Sequence, residues 1–174
     1  MDIKQAEFIT SMASYGNFAG KGLPQIAVAG KSNVGKSSLI NKLCNRNKLA
    51  KTSATPGKTK LINVFLLNRS FHLIDLPGYG FAKVDKAEKQ RWGKMIERYL
   101  RDPRDLRAVF LLLDIRHVPN ANDRQMYDWI INSGHTPVLI ATKADKVKRS
   151  KVSGQLKVIR EGLGAPKGST ILPF

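Results

Sequence analysis

The chain has 174 residues and a mass of 19.3 kDa, which predicts one domain and leaves no room for a second catalytic module. Its 30 Lys and Arg residues against 13 Asp and Glu residues give a formal net charge of +17. This excess favours nucleic acid or another polyanion as a partner, the alternative being a basic surface that only maintains solubility. No apolar run approaches the roughly 18 residues of a membrane span, and the single cysteine, Cys44, excludes an internal disulfide. We therefore expect a cytoplasmic, monomeric protein.

From residue 25 onward, short apolar runs alternate with helical patterns. This order predicts an α/β domain with a mostly parallel sheet, helices on both faces and one antiparallel hairpin strand. Residues 1–24 are interpreted as a lead-in to a domain that covers residues 25–174. The predicted strands are 25–29, 61–67, 71–74, 109–114, 138–142 and 170–174. The predicted helices are 36–45, 86–101, 122–132 and 151–162.

The loop between the first predicted strand and helix fits the pattern G-x-x-x-x-G-K-[ST]. In this pattern, backbone N–H groups wrap phosphates and the helix N-terminus adds positive potential. Lys36 is expected to reach the β- and γ-phosphates of a nucleoside triphosphate, and Ser37 to offer its hydroxyl to Mg²⁺. The alternative is an ordinary glycine turn before a basic helix. The predicted phosphate-binding residues are Gly30, Lys31, Ser32, Asn33, Val34, Gly35, Lys36, Ser37 and Ser38.

A D-x-x-G turn, Asp75-Leu76-Pro77-Gly78, follows the third predicted strand. Asp75 would lie at the sheet edge and hold Mg²⁺ through water, and Gly78 would meet the γ-phosphate with its backbone N–H. Leu76 and Pro77 are assigned to the same nucleotide contact. The pattern alone is weak, but its position about forty residues after the phosphate-loop lysine supports this interpretation.

Thr142-Lys143-Ala144-Asp145 follows another apolar strand and resembles the N/T-K-x-D guanine motif. The carboxylate of Asp145 can accept hydrogen bonds from both N1–H and the exocyclic amine of guanine, a donor pair that adenine lacks. Lys143 can lay its aliphatic stem along the base. The motif therefore predicts a guanine nucleotide as the ligand, the alternative being a solvated turn.

The polar stretch 52–60 lies between the first two motifs and is interpreted as a switch loop. Thr59 is predicted to supply the second hydroxyl ligand of Mg²⁺, ordered only by the triphosphate. Thr55 is the alternative, because spacing does not separate the two. Gly57 and Lys58 are assigned to the nucleotide as well, and Lys36, Thr59 and Gly78 are the predicted catalytic groups.

The motifs G-K-S-N-V-G-K-S-S, T-P-G-K-T, D-L-P-G-Y-G and T-K-A-D together resemble the EngB (YsxC/YihA) family of bacterial ribosome-biogenesis GTPases, among the TrmE-Era-EngA-EngB-like P-loop GTPases. Residues 75–80 and 114–117 (D-I-R-H) are the more family-specific stretches. The resemblance implies a Ras-like fold, binding of GTP and GDP with Mg²⁺, slow hydrolysis, and assembly of the large ribosomal subunit. A link to cell division and septation is also implied.

The family has a fifth motif, roughly P-F-S-S, of which this chain has Pro173 and Phe174. The resemblance thus adds Phe174 to the predicted nucleotide contacts. A sheet that ends on its last strand without a covering helix would leave one face exposed. We therefore expect either a truncated chain or a partner on that face, and favour truncation.

Two residues bear on hydrolysis. Ras-type enzymes orient the attacking water with a glutamine just after the D-x-x-G turn, where this chain has Tyr79, so slow intrinsic hydrolysis is expected. Asn33 resembles the asparagine with which potassium-activated GTPases hold a monovalent cation, so K⁺ could replace part of an arginine finger's charge. The alternative is that Asn33 only stabilises the loop turn.

Three functions compete on the sequence alone. The first is a GTP-dependent assembly switch whose basic surface contacts ribosomal RNA. The second is a P-loop ATPase or kinase, which Asp145 disfavours. The third is an RNA-binding module with a vestigial nucleotide site, against which the intact Lys36, Ser37 and Asp75 argue. Trp92 and Trp129 lie in predicted helices and are expected to pack on the core rather than stack on bases.

Overall fold

The computed structural model describes residues 2–13, 22–50, 61–80, 86–101 and 105–174. They form a seven-stranded sheet with the order β1-β3-β4-β2-β5-β6-β7. The strands are β1 (Ala6–Met12), β2 (Gln25–Gly30), β3 (Ile62–Leu67), β4 (Phe71–Asp75), β5 (Leu106–Asp114), β6 (Val138–Thr142) and β7 (Ile171–Pro173). The helices are α1 (Lys36–Leu43), α2 (Lys86–Arg101), α3 (Ala121–Asn132) and α4 (Arg149–Leu163). No helix among these residues is both long and apolar enough to cross a membrane.

β3 is the antiparallel strand of this sheet. It pairs antiparallel with β1 and β4, whereas the pairs β2–β4, β2–β5, β5–β6 and β6–β7 are parallel. The β3–β4 hairpin turns at Asn68 and Arg69, whose φ angles of 49° and 53° lie in the left-handed region. Two such residues between paired strands are typical of a type I′ turn, whose twist matches that of the strands. The predicted hairpin is therefore confirmed.

The sequence did not predict β1. Phe8 and Ile9 are both exposed, at 52% and 43%, and a bulge between Phe8 and Thr10 interrupts the pairing with β3. An edge strand with a bulge has no regular alternation of apolar and polar residues to detect. Part of the stretch interpreted as a lead-in is thus an edge strand of the same sheet.

The remaining predicted elements are found, with shifted ends. β5 begins at Leu106 rather than residue 109, because the exposed Arg107 interrupts the apolar run that the prediction followed. α1 ends at Leu43, where the prediction extended to residue 45. β7 covers only Ile171–Pro173 of the predicted 170–174.

The two faces of the sheet bury separate cores. One core lies under α2, α3 and α4 and includes Ile96, Met126 and Ile159. The other lies under α1 and includes Leu39, Ile40 and the buried Cys44. Helices therefore flank both faces. On the α1 side, β5 and β6 carry the partly buried Phe110 and Val138.

The strand order places β2 at a topological switch point. The chain leaves β2 for β3 and β4 on one side and later returns to β5 on the other side. In open parallel sheets, a crevice forms outside the carboxyl ends of the strands at such a point. The loop after β2 lies at this position.

Candidate functional site

The phosphate loop connects β2 to α1. Gly35 precedes α1 with a φ of 113°, a conformation that glycine adopts without a Cβ penalty. Asn33 has a φ of 60°, which asparagine tolerates better than most residues. α1 has neither a side-chain N-cap nor an acidic residue in its first turn, so no capping side chain or acidic residue there would compete with an anion for the N-terminus of the helix.

The D-x-x-G turn lies directly against this loop. A Cβ at Gly78 would come within 3.0 Å of the Ser32 Cα and 3.1 Å of the Lys36 Nζ, so only glycine fits without displacement. The backbone N–H of Ser32 donates to the carbonyl of Tyr79 at 2.9 Å. Leu76, in contrast, is buried in the core. The structure therefore brings Gly78 to the loop and turns the Leu76 side chain away from it.

We call residues 30–37 with Asp75 and Gly78 the phosphate side of the site; Lys36 and Asp75 are its desolvated charged groups, whereas Lys31 is exposed. Burial raises the pKa of Asp75, although the charge of Lys36 and a hydrogen bond from Asn63 lower it. Desolvation lowers the pKa of Lys36, although Asp75 raises it. Both shifts favour the neutral form, so the attraction between the two groups does not offset their desolvation. Among the residues that the structure describes, the buried Asp75 Oδ1 atom has no hydrogen-bond partner.

A short relay from β1 positions Asp75. The Ser11 hydroxyl donates to Asn63 Oδ1 at 2.6 Å, and the Asn63 amide donates to Asp75 Oδ2 at 3.4 Å. Sequence reasoning missed both residues, because neither belongs to a motif and β1 was not predicted. The edge strand β1 therefore helps to orient Asp75, the aspartate that the sequence analysis assigned to Mg²⁺.

Across the loop lies the base side of the site, which we define as Asp114, Arg116 and residues 142–145. Arg116 donates to both carboxylate oxygens of Asp114, at 2.8 and 2.7 Å. The Lys143 Nζ lies 2.9 Å from Asp114 Oδ2 and 2.9 Å from the Asn33 carbonyl. Partial burial alone would raise the pKa of Asp114, but Arg116 and Lys143 outweigh it and hold that pKa well below its usual value of 3.8.

Thr142 ties the base side to the phosphate loop from below. Its buried hydroxyl donates to the Val34 carbonyl at 2.6 Å and lies 3.1 Å from the Leu113 carbonyl. The Phe174 carbonyl accepts from the Ala144 N–H at 2.9 Å, so Phe174 adjoins the same turn. The Asp145 carboxylate is exposed and lies 3.0 Å from the Lys146 Nζ.

The other predicted site residues are less closely defined. Lys31 and Ser38 are exposed, and Ser37 is partly buried in the first turn of α1. Gly57, Lys58, Thr59 and the alternative Thr55 lie in residues 51–60, outside the described residues.

Tyr79 is buried rather than directed at the loop. Its hydroxyl donates to Asp123 Oδ1 at 2.8 Å, and its ring lies 6.1 Å from that of Trp92, which lies 6.3 Å from Trp129. Burial and the Asp123 carboxylate raise the pKa of Tyr79 well above its usual value. Both tryptophans pack against the core, as predicted.

The sequence model of the family described as 50S ribosome-binding GTPase matches residues 25–143, from the start of β2 to the lysine of the base side. Together with the switch-point loop, this match defines a P-loop GTPase. Proteins named probable GTP-binding protein EngB are similar to the chain. That of Lachnospira eligens is 58% identical over 87% of this chain and 72% of its own length. That of Clostridium perfringens is 54% identical over 96% and 85%. The chain belongs to the EngB family.

Solved structures agree on the fold. A crystal structure of a probable GTP-binding protein EngB matches with a TM-score of 0.71 at 24% identity, over 86% of this chain and 88% of that one. A crystal structure of Era with MgGDPNP and a segment of 16S ribosomal RNA matches with a TM-score of 0.63 at 19% identity, over 87% and 50%. The predicted Ras-like α/β fold is thus confirmed.

Proposed function

We propose that this GTPase is a nucleotide-dependent switch in the assembly of the large ribosomal subunit, acting in the cytoplasm with slow intrinsic hydrolysis. The family resemblance adds a link to cell division and septation. The observation that carries the nucleotide-binding part of the proposal is the pair of contacts from Thr142 and Lys143 to the carbonyls of Val34 and Asn33. These contacts hold the turn that would read guanine at a fixed distance from the loop that would hold its phosphates. The ribosomal part is supported by the match to the family model described as 50S ribosome-binding GTPase.

The proposed ligand contacts divide between the two sides. The phosphates would be held by residues 30–38, by Gly57, Lys58 and Thr59, and by residues 75–78. The base would be held by residues 142–145 and Phe174. Lys36 would neutralise charge on the β- and γ-phosphates, and the backbone N–H of Gly78 would donate to the γ-phosphate.

The donor set fits Mg²⁺. The ion prefers oxygen ligands and keeps several waters, and the buried Asp75 Oδ1 is an oxygen without a hydrogen-bond partner in the described part of the chain. Ser37 and Thr59 would offer hydroxyls, and Asp75 would bind through water. When bound, Mg²⁺ would neutralise the charge that develops on the phosphates during hydrolysis.

Slow hydrolysis is proposed from Tyr79, since its hydroxyl is engaged by Asp123 and its ring is buried. Asn33 is the proposed K⁺ ligand, and its left-handed backbone also agrees with the simpler loop-turn role. The test is the rate of GTP hydrolysis in potassium against sodium at equal ionic strength. We expect a faster rate in potassium, and equal rates would remove the cation role.

Calorimetric titration with GDP, GTP and ATP in Mg²⁺ tests nucleotide binding. We expect binding of GDP and GTP but not ATP, and loss of guanine binding in Asp145→Asn. The variant should gain affinity for xanthosine diphosphate, whose C2 carbonyl can accept from the new amide. Asp128→Asn is the matched control, since Asp128 is exposed on α3. Equal affinity for all three nucleotides would contradict the proposal.

The ribosomal part has a separate test. Co-sedimentation with purified large ribosomal subunits is measured with GDP or with GMPPNP present. We expect more of the protein to bind the subunits with one nucleotide than with the other. Absence of binding in both states would refute the assembly role and leave the GTPase assignment intact.

A further inference from the structure

The solvent face of α2 carries a row of basic residues. Their spacing of three, four and three positions places them on one face of the helix, opposite the buried Ile96, Tyr99 and Leu100. At about 1.5 Å per residue, the row is roughly 15 Å long. We call it the α2 stripe, and its residues, all exposed, are Arg91, Lys94, Arg98 and Arg101.

The charges of the stripe are poorly balanced on their own helix. α2 has six basic residues and two acidic ones in its sequence KAEKQRWGKMIERYLR. Arg101 pairs with Glu97 at 3.4 Å, but 69% of the Arg101 side chain is exposed, and such surface pairs contribute little. Like charges at (i, i+3) and (i, i+4) destabilise a helix, whereas a merely solvated face typically alternates in sign. The α2 stripe therefore lacks the alternation of positive and negative charge that is typical of a helix face exposed only to solvent.

The surroundings of the stripe favour an RNA over a membrane. A helix that lies on a membrane exposes an apolar face as well as a basic one. Among the described residues, the exposed large hydrophobic side chains lie outside α2. A row of cations without an apolar companion is instead typical of contacts with nucleic-acid phosphates.

The stripe is mechanically connected to the phosphate loop. Tyr79 accepts a hydrogen bond from Ser32 through its carbonyl, and its ring contacts Trp92, the neighbour of Arg91 in α2. Trp92 in turn packs beside Trp129 of α3. The Gly78–Tyr79 turn and α2 are therefore in direct contact, through the ring of Tyr79 on one side and that of Trp92 on the other.

We propose that the α2 stripe binds the phosphate backbone of double-stranded RNA, with an affinity that depends on the bound nucleotide through the Tyr79–Trp92 contact. The inference names the RNA-contacting surface of the ribosomal role proposed above and rests on that role.

Salt dependence of RNA binding tests the proposal. Fluorescence anisotropy with a labelled 20-base-pair RNA duplex gives the affinity at several salt concentrations, with GDP or GMPPNP present. Each duplex phosphate contact contributes about −0.9 to the slope of log K against log salt. The variant R91Q/K94Q/R98Q/R101Q should therefore lose about 3 to 4 from the magnitude of that slope. The wild-type affinity should differ between the two nucleotides, and this difference should vanish in the variant.

A matched control removes the same charge elsewhere. R149Q/K151Q/K157Q/K167Q also removes four positive charges from exposed positions, and it should keep most of the slope. An equal fall in both variants would mean diffuse attraction by the whole surface and would overturn the assignment. Stripe-dependent binding to phosphatidylserine vesicles without RNA binding would overturn it as well.

The outcomes separate the inference from the function on which it rests. Normal GDP affinity in the stripe variant establishes that it is folded. If the wild-type chain binds RNA and the stripe variant binds equally well, the stripe assignment alone fails. If the wild-type chain binds GDP but neither the duplex nor large subunits, the ribosomal role fails and the stripe with it.

Discussion

The two sides of the site differ in how far their buried charges are compensated by neighbouring groups. On the base side, Asp114 holds two cations, and Lys143 reaches both Asp114 and the Asn33 carbonyl at 2.9 Å. On the phosphate side, the desolvation of Lys36 and Asp75 outweighs their mutual attraction, and Asp75 Oδ1 has no hydrogen-bond partner within residues 2–13, 22–50, 61–80, 86–101 and 105–174. The charges of the base side are therefore paired within the protein, whereas the phosphate side retains polar groups that a ligand could bind.

This difference predicts which residues stabilise the protein and which serve binding. Removing one partner of a paired, partly buried charge is expensive, because it leaves the other charge uncompensated. Desolvated and poorly paired charges reduce stability, and such groups are characteristic of functional sites. Substitutions on the two sides should thus separate the free energy of unfolding from nucleotide affinity.

The largest effect is expected on the phosphate side, from Lys36→Met. Loss of the cation should lower GDP affinity by about a thousandfold, or ~4 kcal/mol. The free energy of unfolding without nucleotide should change by less than about 1 kcal/mol, because a poorly compensated charge is replaced by an apolar chain of similar length. Calorimetry and urea unfolding measure the two quantities. Lys42→Met, at an exposed position of α1, is the control, and comparable losses in stability and affinity would contradict the distinction.

On the base side, Asp114→Ala should reduce both quantities. It leaves Lys143 and Arg116 without their shared carboxylate, and we expect about 2–3 kcal/mol lower stability in urea unfolding, since the site is partly exposed. GDP affinity should fall about tenfold, because Lys143 is no longer held. Arg116→Gln should cost less, since the arginine is more exposed. Unchanged stability in the Asp114 variant would show that the charge pairs of the base side do not stabilise the fold.

Thr142→Val tests the connection between the two sides. The variant keeps the shape of the side chain but leaves the carbonyls of Val34 and Leu113 without its hydroxyl. A lost buried hydrogen bond of this kind costs about 1–2 kcal/mol. Differential scanning calorimetry should therefore give a lower Tm, and GDP affinity should fall as the loop loosens. Thr170→Val, at an exposed position, should change neither.

The smallest effect is a pH dependence from Asp114. Its folded-state pKa lies well below the usual 3.8, so its contribution is present in full above about pH 5 and is lost progressively as the pH falls from about 4 through the folded-state pKa. Between pH 5 and pH 3 the stability difference between the wild type and Asp114→Asn should shrink by about 1 kcal/mol, after allowance for partial exposure. Urea unfolding across this range measures it. A stability difference that does not change with pH would contradict the assignment of the ion pairs between Asp114 and its two cationic partners.

The sequence was most informative where a local pattern has one physical cause. The strand, glycine loop and helix at residues 25–45 were predictable because close backbone approach and a helix N-terminus require that order. It failed for β1, whose pairing with β3 is bulged and whose alternation is irregular. It also gave no role to Asp114, Arg116, Ser11 or Asn63, because their contacts join residues from different strands and loops.

By itself, then, the sequence determined the class of protein, the order of the core elements after β1, and the positions of the loop and turn motifs, since all of these depend on residue type and spacing along the chain. Only the tertiary structure decided which charges are paired. The Lys143–Asn33 contact spans 110 residues and the Tyr79–Asp123 contact spans 44. Contacts of that length depend on how strands and helices pack side by side, which no local pattern records.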